Sequence, residues 1–427
     1  MTYSEALDFI HSRPRVKNTG DHSAMLYLLD SLGNPQDKLK YIHISGTNGK
    51  GSCTAMCANI LKCAGYKTGM NISPYVIDFR ERIQINGEYI SKKDLLDIVE
   101  KVKPTVEKLD NENKIISEFA LVTAIAFTYF SKENVDVVCL EVGMGGKNDC
   151  TNIIKNNLCA CIMNIAFDHT RILGDTLSDI AQHKAGIIKD NCPTVVYPAM
   201  EKEALNVIKD VCKAKNSILN IPDISRLSVK NTGFLKSQMK YKNLAICQSF
   251  CGLHQSYNAM TVIEAMNCLR KQGYAISDED IVKGIETTEF PRRIELISEN
   301  PLIILDGGHN IDGITALTNV LKENSIYDVS CIWASLSDKE PEKIAELLSP
   351  YVSKLYTIKI EDNKRALSSD RLSQMAKKYI DNVITAKNVK EAIDMAIEEK
   401  DEKILICGSL YLASEAREYL MKLKEVL

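Results

Sequence analysis

The sequence predicts an α/β fold with mostly parallel sheets, and three observations predict it. Short apolar runs rich in β-formers recur along the chain, helix-like stretches separate most of them, and a glycine-rich turn joins the first run to a helix. In chain order the runs are YIHISG (41–46), TGMNIS (68–73), VDVVCLEVG (135–143), LCACIMNIA (158–166), TVVYP (194–198), PLIILDGG (301–308), DVSCIWAS (328–335) and KILICGS (403–409). The pattern breaks between 288 and 300, where TEFPRRIELISENP carries Pro291, the basic pair Arg292 and Arg293, and a polar turn before Pro301. Two domains are therefore expected, residues 1–295 and residues 296–427. The second repeats the pattern in miniature, with helices expected over EKIAELLSPYV (342–352) and VKEAIDMAIEE (389–399), and reads as a smaller, Rossmann-like α/β domain.

Composition narrows the class. The 427 residues are 45% hydrophobic and 26% charged, enough chain for two or three cores. A net charge of -3 argues against a nucleic-acid binder, whose footprint is a clustered excess of Lys and Arg. The start, MTYSEALDFIHSRPRV, has no basic stretch followed by a long apolar run, and no later segment is apolar for about 18 residues, so a cytoplasmic protein with no membrane partner is expected. The 14 cysteines sit mostly in apolar contexts such as Cys139, Cys159, Cys161 and Cys407, without CxxC or zinc spacing, and read as reduced core thiols.

The segment YIHISGTNGKGSCTAMCANILKCAG is a strand ending at Gly46, a glycine-rich turn, and a helix with apolar Met56, Ile60 and Leu61. Backbone N–H groups of such a turn and the positive end of the helix both face an anion, so a phosphate cradle belongs here. Lys50 would reach a terminal phosphate, and the hydroxyls of Thr47 and Ser52 would serve phosphate or metal; Asn48, Gly49 and Gly51 complete the loop. The spacing differs from G-x-x-x-x-G-K-[ST], because Gly51 follows Lys50 directly. The bland alternative is a glycine turn with a solvated lysine. The first domain thus reads as a mononucleotide-binding domain of phosphate-loop type. Glu141, at the carboxyl end of VDVVCLEVG, stands at the sheet edge where ligands bind, and is a metal candidate on residue chemistry alone.

GTNGKGS (46–52) is similar to the variant phosphate loop of the Mur ligase superfamily, and Gly after Lys resembles its folylpolyglutamate synthase and dihydrofolate synthase branch. The resemblance continues in order through LGNPQ (32–36), ISPYVIDFRERIQING (72–87), LEVGMGGKNDCTN (140–152), FDHTRILGDTLSDIAQHKAGIIK (167–189), HQSYNA (254–259), FPRRIE (290–295), LDGGHN (305–310) and CGSLY (407–411). It implies an ATP-dependent ligase that adds L-glutamate to the γ-carboxylate of a folate through an acyl phosphate, with ADP and phosphate released. By the same resemblance Ser73, Glu141 and His169 are Mg²⁺ ligands, with two ions expected, and Lys184 is a lysine carboxylated by CO₂. A carbamate anion there would attract a metal that an ammonium repels; the bland reading is a lysine paired with an acid.

The resemblance further implies ATP contacts at Asn258, Arg293 and Asp306, and places His309 near the chemistry, in a direct or a supporting role. From the residues alone, Asn258 opens an apolar helix, where its amide either caps the helix or faces a base. Phe119, Thr123, Asp149, Thr151 and Asn152 are assigned to the acceptor pocket, and Ser409 to the incoming glutamate. The chain departs from the family at Lys147 and Asn148, at Ala120 and at Arg292. An active site in the cleft between the domains and a monomeric enzyme are expected, with Lys50, Lys184 and His309 named as catalytic. Three other readings stand beside this one: dihydrofolate synthase alone or as a second activity, a phosphate-loop ATPase without ligase activity, and an inactive binding module. Retention of Lys50, Glu141 and His169 speaks against the last.

Overall fold

The computed structural model describes residues 1–14, 20–75, 77–248, 251–289, 293–361, 363 and 365–426, which form two compact units. Pro291 and Arg292, singled out at the expected domain break, lie outside the described residues. The first unit holds residues 1–227, 240–246 and 257–288, and the second holds 228–239, 247–256 and 289–427.

The first unit is built on an eight-stranded sheet. Its strands are β1 (Tyr41–Ser45), β2 (Thr68–Asn71), β3 (Ile83–Ile85), β4 (Glu88–Tyr89), β5 (Val137–Glu141), β6 (Asn157–Ile162), β7 (Thr194–Val196) and β8 (Leu219–Asn220), in the order β4-β3-β2-β5-β1-β6-β7-β8. From β2 to β8 the neighbours run parallel, and β3 and β4 add an antiparallel edge. Strands β1 and β5 are buried along their whole length because the sheet is covered on both faces. On one face the helices α1 (Tyr3–His11), α2 (Ser23–Ser31), α4 (Lys92–Asn111) and α5 (Glu118–Lys132) share a core with Tyr41, Val138 and Leu140. Helix α5 is nearly all apolar, so it is buried round most of its circumference. The remaining helices are α3 (Lys50–Cys63), α6 (Thr170–Leu173), α7 (Leu177–Ala185), α8 (Lys202–Ala214), α9 (Leu253–Lys271) from Tyr257 onward, and α10 (Asp278–Glu286).

A three-stranded sheet, ordered β11-β10-β9, is formed by β9 (Leu227–Gly233), β10 (Lys236–Tyr241) and β11 (Leu244–Gln248), whose residues are divided between the units.

The second unit carries a six-stranded sheet of β12 (Glu295–Glu299), β13 (Leu302–Leu305), β14 (Val329–Trp333), β15 (Val352–Thr357), β16 (Val383–Thr385) and β17 (Lys403–Cys407), ordered β12-β13-β17-β14-β15-β16. Only β12 runs antiparallel to its neighbour. Helices α11 (Ile311–Glu323), α12 (Pro341–Leu348) and α13 (Ser369–Ala376) pack in one core with Trp333 and Leu405, while α14 (Val389–Glu398) and α15 (Leu410–Val426) share another with Ile332 and Ile406. Alternate residues of β14 and β17 thus feed opposite faces, as the two-residue period of a strand requires.

All eight predicted runs are strands. The helix expected over 342–352 ends at Leu348, because Ser349 and Pro350 follow it and Val352 already begins β15.

Candidate active site

The phosphate loop leaves β1 at Ser45 and enters α3 at Lys50. Gly49 holds φ of +85°, a left-handed backbone, and a Cβ there would lie 2.6 Å from Oδ1 of Asn258, so the loop and the amide leave no room for a side chain. Asn258 itself sits in the second turn of α9, which begins at Leu253. It does not open that helix, and the capping reading is corrected: the polar run His254, Gln255, Ser256 and Tyr257 is already helical. Buried to 3% exposure, Asn258 faces Gly49.

Thr47 anchors the loop. Its N–H donates to Asn164 O (2.7 Å), its hydroxyl donates to Ala166 O (3.0 Å), and the N–H of Ala166 donates back to that hydroxyl (3.1 Å). Lys50 curls over the loop, its Nζ donating to the carbonyls of Gly46 and Thr47, each at 3.2 Å. Ser52 and Gly51 are buried in the first turn of α3, and Asn48 is half-buried beside them.

A second lysine reaches the same carbonyl. Lys184, on α7, is 4% exposed and donates from Nζ to Gly46 O at 2.7 Å. Burial, and then the nearby charge of Lys50, hold its ammonium well below the usual lysine range, against an opposing pull from Asp168. The neutral amine is thus favoured more than it is in an exposed lysine.

Glu141 ends β5 beside β1, paired in register with Ile44, and its Oε2 accepts the N–H of Ser73 at 3.0 Å. Ser73 follows β2, the other neighbour of β5. His169 has φ of +52° at the start of α6; its N–H donates to Asp168 Oδ1 (2.7 Å), which lies 3.9 Å from His169 Nε2. The carboxyl ends of β2, β5 and β1 therefore carry a buried carboxylate, a serine and the phosphate loop as near neighbours. Among the described residues no three His, Cys, Asp or Glu side chains form a metal cage. A hard ion carried on phosphate oxygens and water needs only one or two protein oxygens, so the carboxylate of Glu141 and the hydroxyl of Ser73 are donors that fit Mg²⁺.

The 143–152 loop is held by its own side chains. Asp149 accepts the N–H of Met144 (2.9 Å), the N–H of Thr151 (2.9 Å) and the hydroxyl of Thr151 (2.6 Å), while burial pushes its carboxyl above the usual range. With its hydrogen given to Asp149, Thr151 Oγ1 accepts from His43 Nε2 at 2.9 Å; His43, fully buried and pushed down to about 3, is neutral. Asn152 donates to Lys147 O (3.2 Å) and Gly186 O (3.0 Å). The carboxylate of Asp149, the hydroxyl of Thr151 and the amide nitrogen of Asn152 are thus engaged in shaping the loop, while Oδ1 of Asn152 is buried without a hydrogen-bond partner among the described residues. Phe119 lies against Gly143, and Thr123, fully buried, bonds back to Phe119 O (2.8 Å) and receives Cys150 Sγ (3.6 Å). Asp168, whose charge pulls against the depression of Lys184, was not singled out from the sequence, although its place beside His169 was a usable signal.

In the second unit the loops after β13 and β17 meet through Gly408 N–H donating to Gly308 O at 2.9 Å. Asp306 follows β13; Oδ2 accepts the N–H of Ile294 (2.9 Å) and Oδ1 that of Gly308 (2.7 Å). Burial raises its carboxyl above the usual range, opposed first by the charge of Arg293. His309 Nδ1 lies 3.0 Å from Gly307 O, and Ser409 Oγ accepts the N–H of Tyr411 at 3.2 Å, which caps the start of α15. The arrangement can place anionic ligand groups against glycine-rich backbone at the carboxyl edge of each sheet. No helix among the described residues is long and apolar enough to cross a membrane.

Comparison with known proteins adds the relatives. Residues 44–266 match the family model of the Mur ligase middle domain, and residues 292–410 match that of the Mur ligase glutamate ligase domain. The chain is 33% identical to folylpolyglutamate synthase of Lacticaseibacillus casei, over 99% of each chain. It is also 33% identical to dihydrofolate synthase/folylpolyglutamate synthase of Bacillus subtilis, over 98% of this chain and 99% of that one. A solved FPGS–AMPPCP–folate complex superposes with a TM-score of 0.86 at 32% identity, covering 99% of this chain and all of that one.

Proposed function

The chain belongs to the folylpolyglutamate synthase and dihydrofolate synthase family of Mur ligases, and from that membership we propose that it joins L-glutamate to a folate at the expense of ATP. The observation that carries the reading is the meeting of a glycine-cradled phosphate loop, the buried carboxylate of Glu141 and the buried amine of Lys184 at one sheet edge. A carboxylate is a poor electrophile, so the γ-carboxylate of the folate first takes the γ-phosphoryl group of ATP, and the amine of glutamate then displaces phosphate from the acyl phosphate.

In this scheme Lys50 leaves its two loop carbonyls to neutralise phosphate oxygens, and Arg293 is assigned to phosphate oxygens as well. Asn258, Thr47, Asn48, Gly49, Gly51 and Ser52 bind the nucleotide, and Asp306 holds the loop that presents His309. Ser73, Glu141 and His169 would hold Mg²⁺, which supplies charge neutralisation on the phosphates when bound. Carboxylation of Lys184 is supported by its depressed ammonium, since the free amine is the reactive form. The new carbamate would aim a negative charge at the metal side of the loop. Phe119, Thr123, Asp149, Thr151 and Asn152 form the acceptor pocket, the last three by setting the 143–152 loop, and Ser409 meets the incoming glutamate. The enzyme works as a cytoplasmic monomer.

A second acceptor, dihydropteroate, is favoured by one specific finding: the B. subtilis relative, as similar as the L. casei one, is named for both activities. ADP release and product mass, measured with MgATP and glutamate against tetrahydrofolate, dihydropteroate or no acceptor, test the proposal. Amide from tetrahydrofolate alone gives a folylpolyglutamate synthase, and amide from both acceptors a bifunctional enzyme. ADP release indifferent to acceptor and glutamate returns the ATPase reading.

A further inference from the structure

Arg82 grips the turn that carries Ser73 from both sides. Its carbonyl accepts Nδ2 of Asn71 at 2.9 Å and the N–H of Ile72 at 3.1 Å, the two residues that lead into Ser73. Its guanidinium lies over the ring of Tyr75, two residues beyond Ser73, at 5.2 Å, and over that of Phe79 at 5.5 Å. The far edge of the same guanidinium reaches the start of α5, where Nη1 stands 3.7 Å from Oε1 of Glu118. Arg82 and Glu118 are only 9% and 6% exposed, so their attraction is little screened by water. Glu118 precedes Phe119, whose ring packs on Gly143 so closely that a Cβ there would lie 2.6 Å from it. Gly143 is two residues past Glu141, and Glu141 holds the N–H of Ser73. One buried cation thus closes a ring of contacts running Ser73, Tyr75, Arg82, Glu118, Phe119, Gly143, Glu141.

We propose that Arg82 is a positioning residue that sets the metal-side turn at Ser73 and the acceptor-pocket helix at Phe119 against each other; this rests on the ligase reading. A planar guanidinium can stack on two rings and still point an edge at a carboxylate, whereas an ammonium on a flexible stem can do one or the other. Lysine at this position keeps the charge and loses the geometry. The phosphate loop takes no part in the ring, so nucleotide binding without metal should be independent of it.

The test uses full-length Arg82→Lys beside wild type, with three binding measurements: ADP in EDTA and tetrahydrofolate by calorimetry, and Mn²⁺ in the presence of ADP by electron paramagnetic resonance. The expected result is ADP affinity within about twofold of wild type, with tetrahydrofolate and Mn²⁺ each bound about fivefold more weakly or worse. Wild-type affinity for both would overturn the proposal, as would an equal loss in all three measurements. If Arg82→Lys does not fold, Tyr75→Leu, which keeps the Arg82–Glu118 pair, decides by the same criteria. A wild type that binds no tetrahydrofolate and forms no amide sinks the ligase reading itself, whereas an active wild type with an indifferent Arg82→Lys sinks this inference alone.

Discussion

At the scale of single residues, the phosphate loop is governed by two lysines that donate to one carbonyl, Gly46 O, and only one of them can comfortably be charged. Lys184 is the buried one, and its folded-state pKa is depressed below 10.5. The unfolded chain therefore binds a proton that the folded chain does not, so the contribution of Lys184 to stability rises with pH up to the unfolded value and falls as pH drops toward the folded one. Lys184→Met, measured by urea unfolding in CO₂-free buffer, should lose that slope and gain about 1–2 kcal/mol at pH 7, since an apolar side chain replaces a buried amine. The same variant should lose about 100-fold or more in amide formation, as expected when a preorganised charge leaves an active site. A variant that keeps its activity would remove Lys184 from the mechanism. Gly49→Ala should weaken ADP binding by about tenfold or more, because a left-handed backbone is costly for alanine and the new methyl displaces Asn258; calorimetry reads this directly. Lys50 and Glu141 could be singled out from the sequence because a glycine-rich loop and a strand end are places whose chemistry needs those residue types, whereas Lys184, inside α7, was singled out only through the family resemblance. The turn of Asp149 and Thr151 toward His43 was not legible, since a hydrogen-bonded chain across strands leaves no periodic trace.

At the scale of elements, the runs that the sequence revealed are the ones buried on both faces, such as β1, β5, β14 and β17, where continuous apolar stretches are obligatory. The strands it concealed are short or partly exposed. Among them are β4 and β8 at the edges of the large sheet, two residues each, and β9, whose residues are mostly exposed. Their sequences are free to be polar, and short polar stretches look like loops. Helix α9 was placed too late for the related reason that its first turn is polar. The loop between β13 and α11 yields a prediction at this scale. Asp306 spends both carboxylate oxygens on the N–H groups of Ile294 and Gly308, so an amide in its place turns one acceptor into a donor that faces an N–H. Asp306→Asn should cost about 1–3 kcal/mol in urea unfolding and raise the KM for ATP, because a buried donor is left without its acceptor. Unchanged stability would mean that the loop reorders around the amide, and an unchanged KM would take Asp306 out of the nucleotide site.

At the scale of the whole molecule, the two large sheets bury different sets of residues: among the described residues α1, α2, α4 and α5 share a core with β1 and β5 in the first unit, and cores flank both faces of the six-stranded sheet in the second. Composition and strand–helix alternation announced that much, because each sheet needs its own apolar runs and crossovers. The single tryptophan of the sequence, Trp333, is fully buried in β14 and so reports on the second unit alone, while far-ultraviolet circular dichroism reports on both. Different cores need not unfold together, so the two signals should give non-coincident urea transitions. Nucleotide then becomes a probe of the proposed contacts. A ligand at about 100 times its Kd stabilises whatever binds it by about 2.7 kcal/mol. If ATP is held by the phosphate loop and also by Arg293 and Asp306, MgADP must move the tryptophan transition as well as the dichroism one. If it moves only the dichroism transition, the nucleotide is held by the first unit alone and the assignment of Arg293 and Asp306 falls, whatever the activity of the enzyme.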